Sequence, residues 1–204
     1  MALPPISLFA PDTKSAFRFD DEPGERTARP LGDILADIER AAASRETWIT
    51  LGSPEPTAHP SIDAIVRAAV AAGVRCRMSS NGVRLSDPRL LERLRDAGLE
   101  QLTLTFWGGS PATHDTRVGR EGAFDAAMSA LEVAARLARL LLTTRYVLMA
   151  DNAAEVGPFL DRIRAHTRRF ELVRLVAMTQ DAALLAAHGV PRAAAIQATQ
   201  DAWR

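Results

Sequence analysis

Short runs of apolar and β-branched residues alternate along the chain with longer stretches whose apolar positions recur at helical spacing. Ile6–Ala10, Trp48–Leu51, Val74–Ser79, Gln101–Phe106, Leu141–Met149 and Phe170–Met178 read as strands. Between them, Leu31–Ser44 places Leu31, Ile34, Leu35 and Ile38 on one helical stripe. His59–Ala72, Asp87–Ala97, Phe124–Leu140 and Ala153–His166 read as further helices. Pro60 in a first turn, and Gly73 and Gly98 just past helix ends, are the expected punctuation. Pro11–Pro30 is polar and turn-rich, so it predicts a long loop; Gln180–Arg204 predicts helix, broken at Gly189-Val190-Pro191.

Six strands separated by helices predict parallel βαβ units with right-handed crossovers. Six units are too few for the usual closed eight-stranded barrel. An open, crescent-shaped partial barrel and a doubly wound sheet both remain. In either one, ligands sit at the C-terminal ends of the strands, so the informative residues lie just after each strand.

Composition narrows the function classes. The chain has 204 residues, with 25 basic and 25 acidic side chains and zero formal net charge. That balance leaves no electrostatic footprint for nucleic acid or an anionic membrane. No apolar run approaches the roughly 20 residues that span a bilayer, and Met1–Ser7 lacks the layout of a signal peptide, so a cytoplasmic location is expected. Cys76 is the only cysteine, which excludes an internal disulfide and any site built from two thiolates of this chain. His59, His114, His166 and His188 show no metal-ligand spacing. Phosphate-loop, dinucleotide-binding and nucleophile-elbow motifs are absent.

The segments after the strands are distinctive. Leu51-Gly52-Ser53-Pro54-Glu55-Pro56 follows the second strand, and Ser79-Ser80-Asn81-Gly82 closes the third. Thr105-Phe106-Trp107-Gly108-Gly109 ends the fourth, followed by Thr113-His114-Asp115 and Gly122-Ala123-Phe124; Asp151-Asn152 follows the fifth. In this order and spacing they resemble the radical S-adenosylmethionine (SAM) superfamily, over about Ile6 to Met178. The resemblance implies an α/β fold: a partial (β/α)6 barrel over 1–178 with a C-terminal helical extension over 179–204. It also makes Gly52, Ser53, Glu55, Ser79, Ser80, Asn81 and Thr105 the positions of a SAM site. Each has a plainer reading. Gly52–Pro56 also suits a rigid strand-to-helix turn, Asn81-Gly82 suits a tight turn, and Thr105 is an ordinary β-branched strand residue. Arg145, in mid-strand, either holds a carboxylate inside the crescent or forms a rim ion pair.

The same resemblance exposes a gap. The family holds a [4Fe–4S] cluster on three cysteines, usually Cys-x3-Cys-x2-Cys, after the first strand. Here that loop, Pro11 to Asp20, contains no cysteine, and one register sets Pro11, Ser15 and Arg18 at the ligand positions. None of these replaces a soft thiolate on iron. No iron–sulfur cluster is therefore expected. The implied function is a radical-SAM-like pseudoenzyme that serves as binding or activating partner to a true radical SAM enzyme or its precursor peptide. The alternative is a cluster-free enzyme that binds SAM or a related nucleotide and does polar chemistry such as methyl transfer.

Overall fold

The computed structural model describes residues 6–9, 27–52, 55–167, 169–174 and 182–202. Its strands are β1 (Ile6–Ser7), β2 (Trp48–Gly52), β3 (Arg75–Ser80), β4 (Leu99–Phe106), β5 (Leu141–Leu148) and β6 (Phe170–Arg174). The α-helices are α1 (Leu31–Ala43), α2 (Ile62–Ala71), α3 (Pro88–Asp96), α4 (Pro111–Val118), α5 (Ala123–Arg136), α6 (Val156–Ile163), α7 (Ala182–His188) and α8 (Arg192–Ala202).

All six strands form one sheet in the order β1-β2-β3-β4-β5-β6, and every pairing is parallel. Strand order decides between the two architectures left open above. A doubly wound sheet reverses direction at a switch point and covers both faces with helices. Here the chain only advances, and α1, α2, α3, α5 and α6 share a single core with one face of the sheet. That is the winding of a partial (β/α)6 barrel.

Alternation assigns the faces. Ile49, Leu51, Cys76, Met78, Leu102, Leu104, Phe106, Tyr146 and Leu148 are buried toward the helices. In register, Ile6, Leu51, Met78, Leu102 and Leu142 make an apolar row across β1 to β5. Burying each large side chain in such a row contributes roughly 1.5–3 kcal/mol. The opposite, inner face carries Trp48, Thr50, Arg75, Arg77, Ser79, Gln101, Thr103, Thr105, Arg145 and Glu171, most of them half-buried or exposed.

Several elements differ from the sequence expectation. β1 is shorter: Phe9 instead bridges antiparallel to Ala28, and Ala10 lies outside the described residues. β6 is described to Arg174; residues 175–178 lie outside the described residues. α2 starts at Ile62, because Pro56–Ala58 form a separate 3₁₀ turn. α5 stops at Arg136 rather than Leu140, with Arg139 in the left-handed region (φ 65°). Helix α4 was not anticipated. Its signals are Ser110, which accepts the N–H of Thr113, Pro111 in the first turn, and Gly119 at φ 69° past the end. They went unread because the helix is short and only His114 and Val118 on it are buried. The predicted tail break separates α7 from α8, and α8 contributes Ala195 to the barrel core.

Candidate functional site

The C-terminal rim of the sheet is cross-braced by buried polar side chains. Glu55, 2% exposed, caps the 3₁₀ turn after β2. Its Oε1 accepts the N–H of Thr57 (3.1 Å) and the hydroxyls of Thr57 (2.6 Å) and Ser80 (2.9 Å), while Oε2 accepts the N–H of Asn81 (2.7 Å). Ser80 Oγ in turn accepts the N–H of Gly82, and Asn81 Oδ1 that of Val83. One carboxylate thus ties the turn after β2 to the turn after β3. Burial raises its pKa above the usual carboxylate value, against the pull of these four donors.

A second brace joins β4 to β5. Asn152 is fully buried; its Nδ2 donates to the carbonyls of Trp107 (3.0 Å) and Val147 (2.9 Å), and its Oδ1 accepts the N–H of Met149 (2.8 Å). Glu155 accepts the N–H of Gly109 (2.7 Å) and the hydroxyls of Ser110 (3.0 Å) and Thr113 (2.6 Å). This close approach needs the glycine: a Cβ on Gly109 would lie 2.9 Å from the Glu155 Cβ. His114 Nδ1 accepts the N–H of Trp107 (3.1 Å), so the ring is the neutral Nε2–H tautomer, packed between Phe106 and Phe124. Burial lowers its pKa to about 4, against a smaller opposing pull from Asp115. Asp115 itself accepts the N–H groups of Gly122 and Phe124 at the start of α5. His59 joins the base of α1 to the rim, its Nδ1 accepting from Ser61 and its Nε2 donating to the Arg29 carbonyl.

The inner face is different in kind. Gly52, Ser79 and Thr105 lie on it toward the C-terminal ends of β2, β3 and β4. Ser79 is beside Thr103 in register. Lower on the same face, Arg75 pairs with Glu100 and stacks on the Trp48 ring at 4.0 Å, and Arg145 pairs with Glu171 at 2.8 Å. Of the two readings of Arg145, the acid beside it is one of the sheet's own. At the upper end, Trp107, Val147 and Met149 form an apolar cluster with Val118 and Ala123, against which Leu185 of α7 packs.

The seven sequence-selected positions therefore divide. Glu55, Ser80 and Asn81 sit together in the rim brace. Gly52, Ser79 and Thr105 line the inner face. Ser53 lies outside the described residues. Glu155 had no local signal, since its partners are 42 to 46 residues away.

Among the described residues, no group of three or more His, Cys, Asp or Glu side chains could hold a metal ion. Cys76 is fully buried in the core between sheet and helices, on the face turned away from Ser79 and Thr105, and burial pushes its thiol up to about 12. It is a protonated core side chain, and the sequence supplies no other thiolate. Among the described residues no helix is long and apolar enough to cross a membrane.

Comparison with known proteins yields a match to the radical SAM superfamily over residues 13–163. The chain is 31% identical over 109 residues to the AdoMet-dependent heme synthase of Methanosarcina barkeri, covering 51% of this chain and 31% of that protein. It is 27% identical over 154 residues to the mycofactocin maturase MftC of Mycobacterium tuberculosis, covering 76% of this chain and 38% of that protein. The chain thus spans about a third of the length of these relatives. Among solved structures, Streptococcus suis SuiB bound to S-adenosylmethionine superposes with TM-score 0.62 at 15% identity, over 73% of this chain and 34% of SuiB. SuiB bound to its precursor peptide SuiA superposes with TM-score 0.61 at 16% identity, over 76% and 35% respectively.

Proposed function

This chain belongs to the radical SAM superfamily, and from that premise we propose that it is a member without the radical chemistry, acting in peptide maturation as a binding or activating partner. Its occupant would be a precursor peptide or the enzyme that modifies one. The observation that carries this reading is the segment between β1 and α1, which holds no cysteine, together with a lone Cys76 turned into the helix-side core. Reductive cleavage of the SAM sulfonium draws its electron from the cluster. A chain that cannot ligate the cluster keeps the scaffold and loses the radical. The peptide side of the reading is supported by the relatives: MftC is a maturase, and SuiB has been captured with a precursor peptide. Residues 179–204 belong to this proposal as an extension packed on the barrel, supported by Ala195 and Val190 in its core.

Anaerobic reconstitution with iron and sulfide tests the proposal. The expected product is colourless protein without an iron–sulfur EPR signal. A brown protein that releases 5′-deoxyadenosine from SAM would overturn it. Co-purification of the tagged chain with products of adjacent genes tests the partner role, and a protein that stays monomeric beside all of them counts against it.

A second reading, cluster-free SAM binding with polar chemistry, is favoured by one observation. Ser79 and Thr105 alternate onto the inner face of the sheet, whereas Glu55 is consumed in the rim brace. Calorimetric titration with SAM separates the readings: saturable heat supports the second, and none at millimolar SAM removes it.

A further inference from the structure

Three arginines stand on the inner face of a parallel sheet, where apolar side chains are the norm. Two of them are neutralised within the sheet: Arg75 by Glu100, with a two-nitrogen contact at 2.9 and 2.6 Å, and Arg145 by Glu171. Arg77 is not. Its Nε donates to Thr50 Oγ1 at 2.6 Å, and no carboxylate pairs with it among the described residues. The Thr50 bond holds the guanidinium in place and leaves both Nη nitrogens for an oxygen acid.

Its surroundings continue the pattern. Thr50 and Gln101 flank Arg77 in register, and two residues further along β3 Ser79 stands beside Thr103. By strand geometry Ser79 is roughly 7 Å beyond Arg77 on the same face. Neutral hydroxyls and one unneutralised guanidinium balance a single negative charge; a dianionic phosphate would be left with excess charge.

We propose that Arg77, with Ser79 and Thr103, forms a carboxylate subsite on the inner face, and that it receives the side-chain carboxylate of an acidic residue in a bound peptide. The choice of a peptide rests on the function proposed above. The subsite itself rests on Arg77 being the inner-face arginine without an acid among the described residues. The carboxylate takes the Nη pair of Arg77, with Ser79 and Thr103 as the polar residues next along the same face.

The test is a side-chain NMR titration of the full chain labelled with ¹⁵N-arginine. N-acetylglutamate methylamide is the probe, and N-acetylglutamine methylamide the neutral control. The expected result is a saturable shift of the Arg77 guanidinium signal with the glutamate probe, at least tenfold weaker with the glutamine control. Arg77→Gln should abolish saturable binding, and Arg75→Gln should retain it; unfolding midpoints near that of the parent chain certify that both variants fold. No saturable shift, equal response to both probes, or undiminished binding in Arg77→Gln would overturn the subsite. Saturation by SAM without response to the glutamate probe would also overturn it, assigning the arginine to a nucleotide's carboxylate. The two proposals fail separately. A glutamate response in a chain that captures no peptide removes the peptide reading, whereas a captured peptide indifferent to Arg77→Gln removes the subsite.

Discussion

The rim brace around Glu55 and the inner face around Ser79 lie within two residues of each other on β3, yet they do opposite things with polar groups. At the rim, every oxygen of a buried carboxylate is matched to a donor of the same chain. On the inner face, Ser79 and Thr103 are half-buried and the Arg77 guanidinium is exposed, held by a single hydrogen bond to Thr50 without such closure. A closed network in a low-dielectric setting rigidifies, because removing one member strands the rest. An open set of donors does little for folding and remains available to a ligand. In this family member, the residues that the sequence singles out are therefore divided between a closed structural joint and an open polar face.

Mutation should expose that division, most strongly at the joint. Glu55→Ala leaves four donors without their acceptor, and a loss of roughly 4 kcal/mol in urea unfolding is expected. A loss below about 1 kcal/mol would mean that the brace is not closed as described. Next comes pH. His114 is neutral when folded and its value, about 4, lies below the roughly 6.5 of an unfolded histidine. Its contribution is therefore fully present above pH 6.5 and disappears as pH falls toward 4, an upper limit of about 3 kcal/mol. Unfolding midpoints at pH 7 and pH 4.5 should converge for His114→Gln relative to the parent chain.

Asn152→Ala removes three buried hydrogen bonds joining the ends of β4 and β5, and about 2 kcal/mol should be lost in the same assay. The smallest effect on stability sharpens the contrast. Ser79→Ala and Thr103→Val, both at half-buried inner-face positions, should each stay within about 0.5 kcal/mol of the parent chain while weakening any inner-face ligand. A large destabilisation from either one would merge the two regions into a single structural unit.

Much of the fold was legible because it is written locally. Strand and helix periodicities, Pro60 and Gly73 as punctuation, and the tail break at Gly189–Pro191 all act within a few residues. Helix α4 was equally local, capped by Ser110 and Gly119, but too short to announce itself through its buried positions. The candidate site was legible only as a set of positions. Glu55, Ser80 and Asn81 could be singled out, but their partners are 25 and 26 residues apart. Glu155, braced to residues from Gly109 to Thr113, carried no local mark at all.

Composition and order along the chain, without any fold, determined the parallel βαβ class, the family resemblance and the lack of cysteines where a cluster would be held. They did so because turn chemistry, periodicity and ligand identity are properties of single residues and near neighbours. Only the packed sheet decided that the strands advance in one direction, that Cys76 faces the helices, and that Arg77, among the described residues, stands without an acid where Arg75 and Arg145 each have one. Those outcomes depend on which side of a strand faces which neighbour, and strand pairing brings together residues that the chain itself keeps far apart.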